Sequence, residues 1–333
     1  NEVLGFLRHE TLADLCISRP AARLNWGIPI PFAPEWVNYV WFDALTNYYS
    51  VPAAAGDPAA LEPLRGYLDL PATDVRLWPA DIHVIGKDIL KFHAVYWPIM
   101  LHATGAPLPR QVLVHGWWQK DGQKMSKSTG TVVEPGRVID EWSLAAFRYY
   151  VLRELDIGPD GNWTDTGFAD RYNAELANGL GNLINRSLSM LKRYRNGIVP
   201  KRSDELAGEV NATVAKTIDL LRDCQLQTGL ETIWSLIDRA NQYVDQTAPF
   251  KLAKDPAQAE RLDAVLYNLA ETCRVLAALL VPYLPATAER IYRQLGILQP
   301  PAQLAAAAWG GLTPGHAIGE VAPLFPRRDT PAR

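Results

Sequence analysis

Up to about residue 115, short apolar runs such as "VNYVWFDAL", "IHVIG" and "RQVLVHGWW" alternate with segments of helical period such as "DILKFHAVYWPIMLHATG". In that last segment Ile89, Phe92, His93, Tyr96 and Trp97 recur at helical spacing, with Asp88 near the start and Gly105 closing it. The alternation is the rhythm of parallel βαβ units. The strand "IHVIG" runs directly into "KDIL", which sets Gly86 and Asp88 at the carboxyl end of a strand, where open α/β sheets take their ligands.

From about residue 168 the pattern is helical only. Leu176, Leu180, Leu183, Ile184, Leu188 and Leu191 form one apolar stripe. Ile233, Leu236, Ile237, Ala240 and Val244 form a second, and Leu262, Leu266, Leu269, Val275, Leu276 and Leu279 a third. The pattern predicts an α/β domain over 1–115, a connecting region over 116–167, a helical bundle over 168–312 and an extended strap over 313–333. Proline and glycine dominate the strap, which leaves it little helix.

With 333 residues and 48% hydrophobic content, the chain can build a core for each domain. The formal net charge of −3 gives no overall basic field, so any nucleic-acid contact has to be local. Cys16, Cys224 and Cys273 are odd in number and far apart, which fits neither a disulfide framework nor a zinc site and favours a reducing compartment, with the cytoplasm as the expectation. There is no CxxC spacing, so no metal site is expected. No apolar run approaches the roughly 18 residues of a membrane span, and no membrane partner is expected.

The chemistry gathers in "DGQKMSKSTG", where Lys124 and Lys127 stand three apart with Ser126 and Ser128 beside them. Ammonium groups on flexible stems suit developing phosphate charge. By composition alone such a cluster is more often a solvated turn, and the G-x-x-x-x-G-K-[ST] phosphate loop is absent.

"KMSKS" resembles the signature loop of the class I aminoacyl-tRNA synthetases. "DLCISRP", "WGIPIP", "YVWFDALTNYYS", "VIGKDILKFHAVYWPIML", "KMSKSTG" and "NGLGNLINR" then follow in the order found in the methionyl-tRNA synthetase family. The resemblance runs from about residue 3 to the closing "PLFPR". It implies the second half of a Rossmann-like nucleotide fold followed by an all-α anticodon-binding bundle. The implied substrates are methionine, ATP with Mg2+ and tRNA(Met), and the implied state is a monomer. Lys124, Met125, Ser126, Lys127 and Ser128 match the loop beside the triphosphate, with the two lysines as the catalytic charges. Gly86 and Asp88 match the positions that hold adenosine, although Asp88 reads equally as a helix N-cap. Trp41, Ala44, Leu45, Tyr48, Ile89 and His93 match the wall of the methionine pocket, where aromatic and aliphatic surfaces must select an uncharged thioether. Leu45 stands where some members have proline. Asn182, Arg186 and Phe250 match the anticodon readers, and phenylalanine replaces the tryptophan usual at the third position, a smaller face for base stacking. The basic run Lys192, Arg193, Arg195, Lys201 and Arg202 reads equally as a phosphate contact or a solvated face.

The sequence departs from the family in having no H-x-G-H, the second signature of the class. The chain therefore resembles the carboxyl-terminal two thirds of such a synthetase, and the expectation is that it makes no adenylate alone. A non-catalytic tRNA-binding paralogue is the main rival, and a sister synthetase for leucine, isoleucine, valine or cysteine a second.

Overall fold

The computed structural model describes residues 2–10, 12–62, 73–126, 130–301 and 304–329. The chain divides into two compact units, Asn1–Trp117 and Trp118–Arg333.

In the first unit, helix α1 (Glu2–His9) precedes an antiparallel sheet of β1 (Ser18–Pro20), β2 (Pro29–Ile30) and β3 (Ala33–Asn38), with β3 in the centre. Pro20 and Pro29 fall in the two edge strands, where a missing N–H is tolerated. The run "VNYVWFDAL" is not one element: β3 ends at Asn38, and extended Tyr39 starts α2 (Val40–Ala44). Two short helices follow, α3 (Asn47–Ala54) and α4 (Pro58–Leu61). Leu45, Tyr49, Trp78, Trp97 and Leu101 bury together as the core of this unit. Asp57 fastens it, because its carboxylate caps α4 at Ala59 N (2.9 Å) and accepts from the backbone N–H groups of Leu77 and Trp78.

The βαβ rhythm is realised by β4 (Ile82–Gly86) and β5 (Gln111–His115), paired in parallel with His83 opposite Val112 and Gly86 opposite His115. The crossover is less regular than its spacing predicts. It opens with a 3₁₀ turn, Lys87–Ile89, widens to a π turn, Phe92–Tyr96, and becomes α-helical only over α5 (Trp97–Thr104). Pro98 supplies a physical reason: it has no N–H for the preceding turn, and its ring needs the wider π geometry to clear the carbonyl four residues earlier. Gly105 ends α5 at φ 71°, a left-handed conformation suited to glycine.

In the second unit, β6 (Trp118–Lys120) pairs with β7 (Gln123–Lys124) and, in parallel, with β8 (Gly161–Trp163). Helices α6 (Pro135–Glu141) and α7 (Leu144–Arg153) lie between them in sequence, and α8 (Asp165–Arg171) follows. The bundle begins with a π-helical stretch, Tyr172–Gly181, that continues as α9 (Asn182–Arg195). Next come α10 (Ala207–Arg222), α11 (Leu226–Thr247), the single turn α12 (Pro249–Leu252), α13 (Ala259–Leu280) and α14 (Pro285–Gln294). All three predicted stripes are buried in one core. Helix α13 is covered on every side from Val265 to Leu280, as expected of a helix at the centre of a bundle.

That central helix also carries charge. Glu271 accepts from Gly310 N (2.7 Å), Gly311 N (2.9 Å) and Leu312 N (3.0 Å), and pairs with Arg274 at 2.6 Å. Arg274 in turn donates to the Ala306 and Ala308 carbonyls. The pair is satisfied on all sides, as burial demands, and it clamps the segment after α14 onto α13. A β-carbon on Gly311 would lie 2.6 Å from the Arg274 guanidinium carbon, so only glycine fits there without displacing Arg274.

Over residues 313–329 the chain carries no helix. Gln294 holds Ala322 through two hydrogen bonds, Arg290 donates to Pro323 and Leu324, and Asn173 brackets the backbone of Arg328.

Candidate functional site

In the first unit, Trp41 on α2 stacks on Phe92 at 4.4 Å between centroids and 16° between planes, and meets the His93 ring edge-on at 6.4 Å. Tyr48 on α3 reaches the same histidine, its hydroxyl 3.0 Å from Nε2. On the other side of the ring, His93 Nδ1 lies 3.0 Å from the Ile89 carbonyl. A carbonyl can only accept, so Nδ1 carries a proton, and in the neutral tautomer this leaves Nε2 to accept from the Tyr48 hydroxyl. Ile89 therefore takes part through its backbone carbonyl.

These contacts bring Trp41, Tyr48, Ile89 and His93 together as one largely aromatic wall, in which the Ile89 carbonyl, the His93 ring and the Tyr48 hydroxyl are hydrogen-bonded in series. Such a wall offers an incoming side chain apolar surface and no fixed charge. Ala44 is exposed on α2, three residues on from Trp41. Leu45 is different in kind, because at 1% exposure it belongs to the packed core under α2 and α3.

Gly86 and Asp88 meet where β4 ends. A β-carbon on Gly86 would lie 2.5 Å from Asp88 Oδ1 and 3.6 Å from the His115 ring, so glycine alone lets the carboxylate fold back over the strand end. The N-cap reading of Asp88 does not hold. Gly86 occupies the cap of the 3₁₀ turn, no side chain caps it, and Asp88 lies inside the turn with its carboxylate exposed. The neighbouring Lys87 lays its ammonium over Trp117 at 4.3 Å.

In the second unit the lysine loop springs from β7, with Lys124 exposed at its end. Met125 packs against the core, and Ser126 N donates to Thr131 Oγ1 at 3.0 Å, which pinches the base of the loop. Lys127 and Ser128 lie outside the described residues.

In the bundle, Asn182 opens α9 with its side chain exposed, and Arg186, one turn on, pairs with Asp245 at 2.8 Å. Asp245 stands near the end of α11. The left-handed residue Ala248 then turns the chain into α12, where Phe250 is 45% exposed. A large aromatic ring left open at a helix corner is a surface on which a base can stack. The basic run divides. Arg195 bonds Asp263 and the Ala259 carbonyl, Arg202 pairs with Asp204 at 2.8 Å, and Lys192 donates to the Gly319 carbonyl at 3.1 Å. Much of that run therefore fastens the bundle.

Sequence reasoning left two residues out of the site. Phe92, on which Trp41 rests, stands in the apolar stripe of the crossover but reads there as packing. His83, a polar residue at an inward position of "IHVIG", is a signal visible in the sequence and passed over. Among the described residues, no three His, Cys, Asp or Glu side chains gather as a metal site, and no helix is long and apolar enough to cross a membrane.

A half-Rossmann unit with a ligand-ready strand end, a lysine loop and a helical bundle together define a class I aminoacyl-tRNA synthetase architecture. The family model described as "tRNA synthetases class I (M)" matches residues 1–188, and the chain belongs to that family. It is 41% identical to the methionine–tRNA ligase of Fusobacterium nucleatum over 338 residues, covering 98% of this chain and 51% of that protein. It is likewise 41% identical to the Bacillus subtilis methionine–tRNA ligase, covering 98% of this chain and 48% of that one. Mycobacterium tuberculosis methionyl-tRNA synthetase in complex with methionyl-adenylate superposes with a TM-score of 0.83 at 39% identity, covering 98% of this chain and 62% of that one. Its apo form gives 0.81 at 37% identity. The chain spans about half the length of the curated relatives it matches.

Proposed function

We propose that this chain is part of a cytoplasmic, monomeric methionine–tRNA ligase. In this reading the carboxylate of methionine attacks the α-phosphorus of ATP, taken with its Mg2+, and pyrophosphate leaves. The methionyl-adenylate then gives its acyl group to the terminal ribose hydroxyl of tRNA(Met), releasing AMP. Trp41, Ala44, Tyr48, Ile89 and His93 hold the methionine side chain, with Leu45 supporting them from the core. Gly86 and Asp88 hold adenosine, the glycine by allowing close approach and the carboxylate by accepting from a ribose hydroxyl. Lys124 and Lys127 neutralise charge on the phosphates, so catalysis rests on positioning and electrostatics. Asn182, Arg186 and Phe250 read the anticodon.

One observation carries the reading: the closed chain Ile89 carbonyl, His93, Tyr48 beside the Trp41–Phe92 stack. It makes a largely aromatic wall of the kind that a soft, uncharged thioether side chain needs. The absence of H-x-G-H from the sequence supports a finer proposal, that these 333 residues form no adenylate unless a histidine-bearing segment is supplied.

Calorimetry of methionine and of leucine with the 333-residue chain tests the pocket. Binding of methionine in clear preference to leucine is expected, and equal or absent binding of both contradicts the assignment. The rival reading, a tRNA-binding paralogue without chemistry, predicts tRNA binding with no methionine site.

A further inference from the structure

His83 is 4% exposed, and it faces inward from β4 at a position where alternation otherwise places apolar residues such as Ile85. Aromatic rings enclose it: Tyr48 at 4.4 Å between centroids, His93 at 6.1 Å and Trp78 at 6.2 Å. Trp97 completes the enclosure and donates from its Nε1 to His83 Nε2 at 3.2 Å. An indole nitrogen can only donate, so Nε2 must offer a lone pair. The ring is therefore neutral, with its proton on Nδ1.

Resting on the reading of Trp41, Tyr48 and His93 as a methionine pocket, we propose that His83 is a positioning residue. It holds Tyr48 and Trp97 in the arrangement that keeps the Tyr48–His93 bond closed, and it releases that hold when it takes up a proton. An imidazolium carries N–H on both nitrogens, so protonated His83 would set Nε2–H against the Trp97 N–H. Two donors facing each other inside a closed cluster cannot both be satisfied, and an unsatisfied buried polar group is costly. The ring must turn or Trp97 must retreat, and Tyr48 rests directly on that ring. The wall that meets the substrate side chain then loosens, although nothing in direct contact with substrate has changed charge.

The surroundings agree with a proton switch of this sign. Burial, and after it the neighbouring His93, pushes the His83 pKa down, so the ring is neutral at neutral pH. The titratable groups facing it are Tyr48 from α3 and His93 from the π turn. Trp78 and Trp97 bring no charge, and β5 presents Val112 as its register partner. The carboxylate of Asp57 lies behind Trp78, occupied by backbone N–H groups.

The test is methionine binding by the 333-residue chain at about pH 7.5 and about pH 5.5, on either side of the ordinary histidine range. It compares the unaltered protein with His83→Gln, whose amide oxygen can accept from Trp97 without titrating, and with His83→Phe, which cannot accept. The unaltered chain is expected to bind about twofold to fivefold more weakly at the lower pH, less than the roughly tenfold an unshifted histidine would give because burial lowers its pKa, while His83→Gln stays within about threefold of the unaltered chain at the higher pH and changes little on acidification. His83→Phe is expected to be about tenfold weaker at both. An acid loss in His83→Gln equal to that of the unaltered chain places the switch elsewhere and overturns the proposal, and so does full-strength binding by His83→Phe. If the phenylalanine variant fails to fold by circular dichroism, the pH profile of the glutamine variant decides. Failure of the unaltered chain to bind methionine at either pH removes the pocket reading itself, and this inference with it.

Discussion

At the scale of single residues, the first unit is organised by a few buried side chains whose polar atoms are hydrogen-bonded. Tyr48 donates to His93, and that bond fixes where both rings stand. Tyr48→Phe removes the donor and leaves His93 Nε2 unpaired, so methionine binding should weaken by about fivefold to tenfold, the equivalent of about 1 kcal/mol, with little change in melting temperature. Calorimetry beside a thermal melt checks it. Leu45 behaves in the opposite way: Leu45→Ala empties a core site and should cost about 2–5 kcal/mol of stability in urea titrations. Asp57 adds a pH dependence. Burial raises its carboxyl, but the N–H groups of Trp78, Leu77 and Ala59 together outweigh that and hold it below the usual carboxylate range. Its stabilisation is complete above the ordinary aspartate value of about 4 and is lost as pH falls through the lower folded value. Buried His83, also depressed, stabilises fully above about pH 6.5 and ceases to do so as pH falls through its own lower value. Melting curves of the first unit's tryptophan fluorescence should therefore fall in two stages on acidification, and His83→Gln should remove the upper one.

At the scale of elements, the sequence was most legible where burial is one-sided. The stripes of the bundle helices and the strand "IHVIG" appear as expected, because apolar residues at 3.6-residue or two-residue spacing have only one way to bury. The crossover was partly legible. Its apolar residues occupy one face in an α-helix and in a π turn alike, so periodicity could not reveal the widening before Pro98. The small sheet of β6, β7 and β8 was not legible, since strands of two or three residues carry too little alternation. Charges inside α13 were also silent in the sequence, because Glu271 and Arg274 look like an exposed pair three residues apart until the segment over them is seen. Glu271→Ala, which strands Arg274 in the core, should destabilise the bundle by about 3–5 kcal/mol, and pairing it with Arg274→Met should recover part of that loss. In α12, Phe250 is exposed enough that Phe250→Ala should leave stability unchanged while weakening binding of a CAU anticodon stem-loop by about tenfold, and Phe250→Trp should strengthen it.

At the scale of the molecule, sequence motifs pointed to more of the candidate site residues than spacing or composition could. "KMSKS" and its neighbours carry family chemistry that no hydrophobic pattern encodes, whereas the hydrogen bonds that join Ile89, His93 and Tyr48 needed coordinates. The parallel ladder is two-stranded among the described residues, and Val84 on β4 is 66% exposed, although parallel strands are ordinarily covered on both faces. In the proposed reading, that open face is where a further α/β segment would pack. The most direct measurement is aminoacylation of tRNA(Met) by the 333-residue chain, alone and mixed with a separately made segment of a relative that carries the histidine signature. The account predicts no charging by the chain alone and methionine-specific charging on mixing, abolished by substitution of Lys124 and Lys127. Silence in both arms from folded partners, with tRNA still bound in preference for the CAU anticodon, would contradict the ligase assignment and leave a tRNA-binding protein in its place.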